Sequence, residues 1–225
     1  MKILSLCLAL VVSPSFAAGE FVCSGQAELK LLSGYYALVP LIEAAPKLRS
    51  WPAILNSVES DKAGLAIRDG QVFFNRSWHE GDTGGNCVRK DAQGLWVKEA
   101  EAPHAIFGPY RQLAGISERE NLAYLSLFLN GCFVGSNGAH WCFSRQQVTV
   151  NGQPFAGAFE LDAMEFPEYG TSFRVPGQTP PLLVFVPDSD GWAVYQDDFV
   201  STEGRIPVVP GRTKPVLFLK TERKQ

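Results

Sequence analysis

Short apolar blocks fenced by turn residues run through most of the chain, and few of them carry a helical period. Leu65 to Phe74 alternates around Asp69-Gly70, the dipeptide that a two-residue primed turn demands, and so predicts a β-hairpin. Gln147 to Gln153 gives a strand that ends in the same kind of turn, at Asn151-Gly152. Leu95-Trp96-Val97 follows an Asp91-to-Gly94 turn and predicts a strand. Phe155 to Leu161 predicts another, with Phe159 and Leu161 on one face and Glu160 and Asp162 on the other. Phe173 to Val175 and Val216 to Leu219 add two more. Leu182 to Val186 is an unbroken apolar run between prolines, which suits a strand buried on both faces. Asp188-Ser189-Asp190-Gly191 turns it back into Trp192 to Tyr195.

Helical signals are brief. Ser24 to Leu32 fits a short helix or an irregular strand ending at Gly34. Pro40, Pro46 and Pro52 recur at a spacing of six residues and predict short helical turns, the last over Pro52 to Val58, because proline suits a first helical position and breaks an interior. Ser117-Glu118-Arg119-Glu120 reads as a capping box ahead of Leu122, Leu125 and Leu129, with Asn130-Gly131 as the stop. Ala100 to Ala114 has no period and reads as a linker. The prediction is a mainly β protein with short helices (α+β), built from antiparallel meanders and hairpins in two similar β-rich lobes. The lobes run over 18–99 and 117–225, with 100–116 joining them.

A faint repeat supports two lobes. Leu32-Ser33-Gly34-Tyr35-Tyr36 matches Leu129-Asn130-Gly131-Cys132-Phe133. Asp91 to Val97 matches Asp188 to Val194, and both matches carry an offset of 97 residues. A third, Asp69-Gly70-Gln71 with Asn151-Gly152-Gln153, is offset by 82 and breaks the frame. The Leu-x-Gly-aromatic openings followed by meanders resemble those of lipocalin-type barrels, a resemblance that carries over no residue's role.

Compartment and covalent framework come from the N-terminus and the cysteines. Lys2, an apolar stretch from Ile3 to Val12 and Ser15-Phe16-Ala17 make a secretory signal peptide over residues 1–17. Its removal leaves 225 − 17 = 208 residues, and takes Lys2 from the 20 basic residues, so the charge is 19 − 23 = −4. That balance disfavours a nucleic-acid partner, and no run approaches the ~20 apolar residues of a membrane span. Cys7 leaves with the signal, and Cys23, Cys87, Cys132 and Cys142 remain, an even count that predicts two disulfides and a periplasmic or extracellular protein. A three-residue loop, Ser136-Asn137-Gly138, would set Cys132 opposite Cys142 with Gly138 in the left-handed position. Cys23 then pairs with Cys87.

Chemistry is thinly signalled. There is no Gly-x-Ser-x-Gly elbow, and Thr83 stands where a metalloprotease helix begun at His79-Glu80 needs its second histidine. Asp188 to Gly191 starts like a calcium loop but has Phe199 where the bidentate glutamate belongs, so it reads as a turn and no metal is expected. Glu160 and Asp162, with His140, form the one candidate catalytic group, as carboxylates on one strand face that would serve an envelope hydrolase. The favoured expectation is a non-catalytic binding protein without a cofactor. Its partner would be a protein or a small ligand, held by aromatics on an open edge: Trp141, Phe166, Tyr169, Trp192 and Tyr195.

Overall fold

The structure, a computed structural model, describes residues 19–58, 62–76, 80–81, 85–100, 102, 104–159, 161, 170–177, 182–197 and 214–222. The first half supplies β1 (Val22–Cys23), β2 (Gly34–Leu38), β3 (Gly64–Arg68), β4 (Gln71–Arg76), β5 (Glu80–Gly81), β6 (Cys87–Lys90), β7 (Leu95–Lys98) and β8 (Ile106–Ala114). The second half supplies β9 (Gly131–Gly135), β10 (His140–Phe143), β11 (Val148–Val150), β12 (Gln153–Pro154), β13 (Ala158–Phe159), β14 (Thr171–Arg174), β15 (Leu182–Asp188), β16 (Gly191–Asp197) and β17 (Leu217–Thr221). A 3₁₀ turn, Ala27–Leu32, precedes β2. Helices α1 (Val39–Leu48) and α2 (Trp51–Asn56) stand between β2 and β3, and α3 (Glu120–Leu125) between β8 and β9.

Both sheets are antiparallel, and both follow the same path. In the first, β2 to β5 step outward from β2, the chain crosses to the far edge, and β6 to β8 step back until β8 pairs with β2. In the second, β9 to β12 step outward, and β13 to β17 return until β17 pairs with β9. Joining first strand to last closes each meander on one side and leaves it open on the other. The results are a near-barrel of eight strands and a half-barrel of nine.

A polar bridge spans the open side of the near-barrel. The Ser24 hydroxyl donates to the Asn86 carbonyl and accepts from the Val72 N–H, and the Asn86 side-chain amide donates to the Val72 carbonyl at 3.0 Å. Asn86 is buried, so these bonds form in a low-dielectric site where each lost partner is costly.

The sequence repeat maps unevenly onto this shared path. Gly34 and Gly131 open the equivalent strands β2 and β9, and the Asp91–Gly94 and Asp188–Gly191 turns join the equivalent pairs β6–β7 and β15–β16. The out-of-frame match falls on inequivalent turns, β3–β4 and β11–β12. Both of those turns have positive φ at their two central residues, as a type I′ turn requires.

Several expectations are met. Cys132 faces Cys142 across β9 and β10, the loop is Ser136-Asn137-Gly138, and Gly138 has φ +80°. The Gly135 N–H donates to the Ala139 carbonyl, so hydrogen-bonded pairs alternate from there and Cys132–Cys142 falls on a non-hydrogen-bonded pair, where side chains approach most closely. Both disulfides, Cys23–Cys87 and Cys132–Cys142, are formed. In β15, Val184 and Phe185 point to opposite faces and both are fully buried.

Two readings need correction. The supposed linker contains β8, a nine-residue strand paired on both flanks with β7 and β2. Its Gly108-Pro109 is absorbed by a bulge. Leu95 pairs with Tyr110 and Val97 with Phe107, so β8 has two residues where β7 has one. Proline is tolerated at such a bulge because no ladder hydrogen bond is asked of it there. A Cβ on Gly108 would lie 2.7 Å from the Leu95 carbonyl oxygen, so only glycine fits. The capping box also fails. α3 forms, but its N-cap is Arg119 without a side-chain bond, and Glu118 accepts from the Gly115 N–H instead.

The sheets share one apolar core, and the insertions tie them together. Trp51 of α2 is buried against Tyr124, Phe128 and Phe159. Its indole N–H donates to the Leu161 carbonyl at 2.7 Å and its backbone N–H to the Thr171 hydroxyl at 3.0 Å. Arg49, the left-handed C-cap of α1, donates to the Asp188 and Gly191 carbonyls of the β15–β16 turn and lies over the Trp192 ring. The Tyr124 hydroxyl of α3 donates to the Tyr36 carbonyl of β2. Phenylalanines fill the half-barrel, with Phe173 and Phe185 at 4.7 Å between centroids.

Candidate functional site

The open aromatic edge does not form from the described aromatics. Trp141, Trp192 and Tyr195 are buried, Trp141 among Phe143, Phe155 and Phe185 and Trp192 under Arg49. Strand alternation and half-barrel curvature turn these two tryptophans inward, which a linear sequence cannot show. Phe166 and Tyr169 lie outside the described residues, as do Glu160, Asp162 and the whole of residues 1–17. Of the candidate catalytic group only His140 is placed. It is exposed at the start of β10, 3.9 Å from the Glu222 carboxylate.

Described residues line a cleft at one end of the near-barrel. It holds about 200 Å³. Four segments build it: the 3₁₀ turn before β2, β2 itself, the β6–β7 turn and the middle of β8. Leu31, Leu32, Leu95 and Tyr36 give it an apolar lining, with Leu32, Leu95 and Tyr36 buried and Leu31 60% exposed at the mouth. Lys90 and Arg111 are exposed and complete the lining. The β2–β8 pairing that closes the meander brings Tyr36 beside Gln112, and the β7–β8 pairing brings Leu95 beside Tyr110. The cleft is therefore a product of the closure seam.

Its polar groups divide into used and unused. The Tyr36 hydroxyl donates to the Leu32 carbonyl, and burial pushes its pKa up to about 12, so it stays a neutral donor. The Tyr110 hydroxyl donates to the Lys62 carbonyl at 2.7 Å. Asp91, the carboxylate beside Lys90 in sequence, accepts from the Gln93 and Gly94 N–H groups of its own turn and lies 3.9 Å from Arg89. The ammonium of Lys90 and the guanidinium of Arg111 have no partner among the described residues. The cleft thus pairs an apolar floor with two uncommitted cations, and none of its lining side chains is a carboxylate, histidine or thiol.

The sequence pointed to none of these residues as a group. They come from separate segments between Leu31 and Gln112, and the segment that contributes Arg111 read as a linker. Among the described residues no three His, Cys, Asp or Glu side chains converge as metal ligands, and no helix is long and apolar enough to cross a membrane. Comparison with known protein families, with curated proteins and with solved structures gave no match.

Proposed function

We propose that this chain is an exported, disulfide-stabilised protein of the periplasm or the extracellular space that binds a small ligand without transforming it. The observation that carries this reading is the closure-seam cleft: concave, apolar at its floor, and lined by leucines, tyrosines, Gln112 and two cations, with no carboxylate, histidine or thiol among its lining side chains. The two disulfides support the compartment, since such bonds persist where the surroundings are oxidising.

A thermal-shift panel on the mature protein tests the reading. A ligand at about a hundred times its Kd stabilises by about 2.7 kcal/mol, which in a domain of this size raises Tm by roughly 5–10 °C. The panel spans anionic, cationic, neutral and sugar-like compounds at millimolar concentration. A hit whose effect disappears in Leu95→Asn supports binding in the cleft. A panel in which no compound shifts Tm overturns the reading.

A further inference from the structure

The geometry points to a specific ligand class for this cleft: a small organic monoanion with a short apolar stem, such as a medium-chain carboxylate. This inference rests on the cleft being a binding site and adds the chemistry of its occupant. Two observations define the headgroup. Lys90 and Arg111 both line the cleft, and neither ammonium nor guanidinium is engaged by a carboxylate of the described residues. The nearest acid in sequence, Asp91, is held by its own turn and by Arg89. Arg111 can present two parallel N–H donors to a carboxylate, and Lys90, which lines the same cleft, supplies a mobile point charge. A cationic headgroup would meet two like charges, and a neutral one would leave both cations without a counter-charge.

The stem follows from the floor and the size. Leu32 and Leu95 form a buried apolar base, and Leu31 stands 60% exposed at the mouth with apolar surface to spare. A volume of about 200 Å³ corresponds to roughly six or seven water molecules. That room covers an aliphatic or aromatic stem on the order of six to eight carbons, each buried CH₂ contributing ~0.8 kcal/mol of transfer energy. The Gln112 side chain, whose amide donates to the Ser33 carbonyl, borders the same cleft and is a further polar wall.

The experiment is a titration of the mature, oxidised protein with octanoate, followed by backbone amide shifts and calorimetry. Hexyltrimethylammonium and hexanol are the comparison probes. Octanoate is expected to move the amides of Gly94, Leu95 and Gln112, and to bind at least tenfold more weakly in Lys90→Glu/Arg111→Glu. Raising NaCl from 20 mM to 500 mM should weaken it several-fold, because exposed charges are screened. Leu31→Asn should weaken octanoate while leaving butanoate unchanged. All three positions are exposed, so these variants should keep the parent's circular dichroism and Tm. Equal binding of hexanol or hexyltrimethylammonium in the cleft, or indifference to the double charge reversal, overturns the anion assignment and leaves the binding reading intact. Octanoate shifts confined to other residues, with no probe entering the cleft, overturn both.

Discussion

Removing the two disulfides one at a time should destabilise the protein unequally, in an order set by ring size. Both bonds join residues directly opposite each other on antiparallel strands, Cys23 with Cys87 and Cys132 with Cys142. Their local geometries are therefore alike, and the main difference is the chain each one closes: a sequence separation of 64 against 10. Chain-entropy reasoning gives about 4.3 kcal/mol for the long ring and about 2.7 kcal/mol for the short one. The difference, 1.5RT ln(64/10), is about 1.6 kcal/mol and does not depend on the model's additive constant. Burial acts in the same direction. Cys87 is buried, so a serine there places a hydroxyl inside, whereas Cys132 is exposed. The assay is urea unfolding of the two Cys→Ser double variants by tryptophan fluorescence. Free energies in water should be compared rather than midpoints, since a less constrained unfolded chain also raises m. Both variants should fold, with Cys23→Ser/Cys87→Ser the less stable by 1.5 kcal/mol or more. An equal loss, or a larger one in Cys132→Ser/Cys142→Ser, would show that strain or residual structure outweighs ring entropy here.

Other perturbations test the contacts that hold the sheets together. Arg49→Lys keeps the charge but loses the planar fork that reaches two carbonyls and covers Trp192, and should cost about 1–2 kcal/mol in chemical unfolding; a change within 0.3 kcal/mol would deny the clamp. Lys62→Met strips Glu99 of a 2.8 Å partner in a site where both side chains are nearly buried, so a loss of roughly 2–4 kcal/mol is expected, and a neutral result would mean that Glu99 is held without Lys62. Tyr36 predicts alkaline sensitivity. Its folded pKa is raised to about 12 from 10.0, so the unfolded chain loses that proton first and stability falls as pH climbs through that window. Urea midpoints measured from pH 8 to 11.5 should decline, and Tyr36→Phe should flatten the decline; an unchanged slope would assign it to other groups.

What was legible in the sequence was whatever short-range rules determine. Asp69-Gly70 and Asn151-Gly152 specify primed turns because both central residues must take positive φ, and they do. The ten-residue spacing of Cys132 and Cys142 around an Asn-Gly loop specified a register, and the register a disulfide. Leu182 to Val186 announced a strand buried on both faces through its composition alone. Tertiary structure decided everything that depends on which distant strands meet. Ile106 to Ala114 has no strand pattern because its Gly108-Pro109 bulge interrupts the alternation, yet it lies between β7 and β2 and closes the near-barrel. Trp141 and Trp192 are candidates for an open edge in the sequence, and both are buried in the fold. The cleft exists only because closure brings the 3₁₀ turn, the β6–β7 turn and β8 to one end, so that Lys90 and Arg111 line the same cleft as Leu31 and Leu32, far from them in sequence. Local chemistry fixes turns and registers within a few residues, whereas a concave site is assembled by pairings between segments whose meeting no short window of sequence encodes.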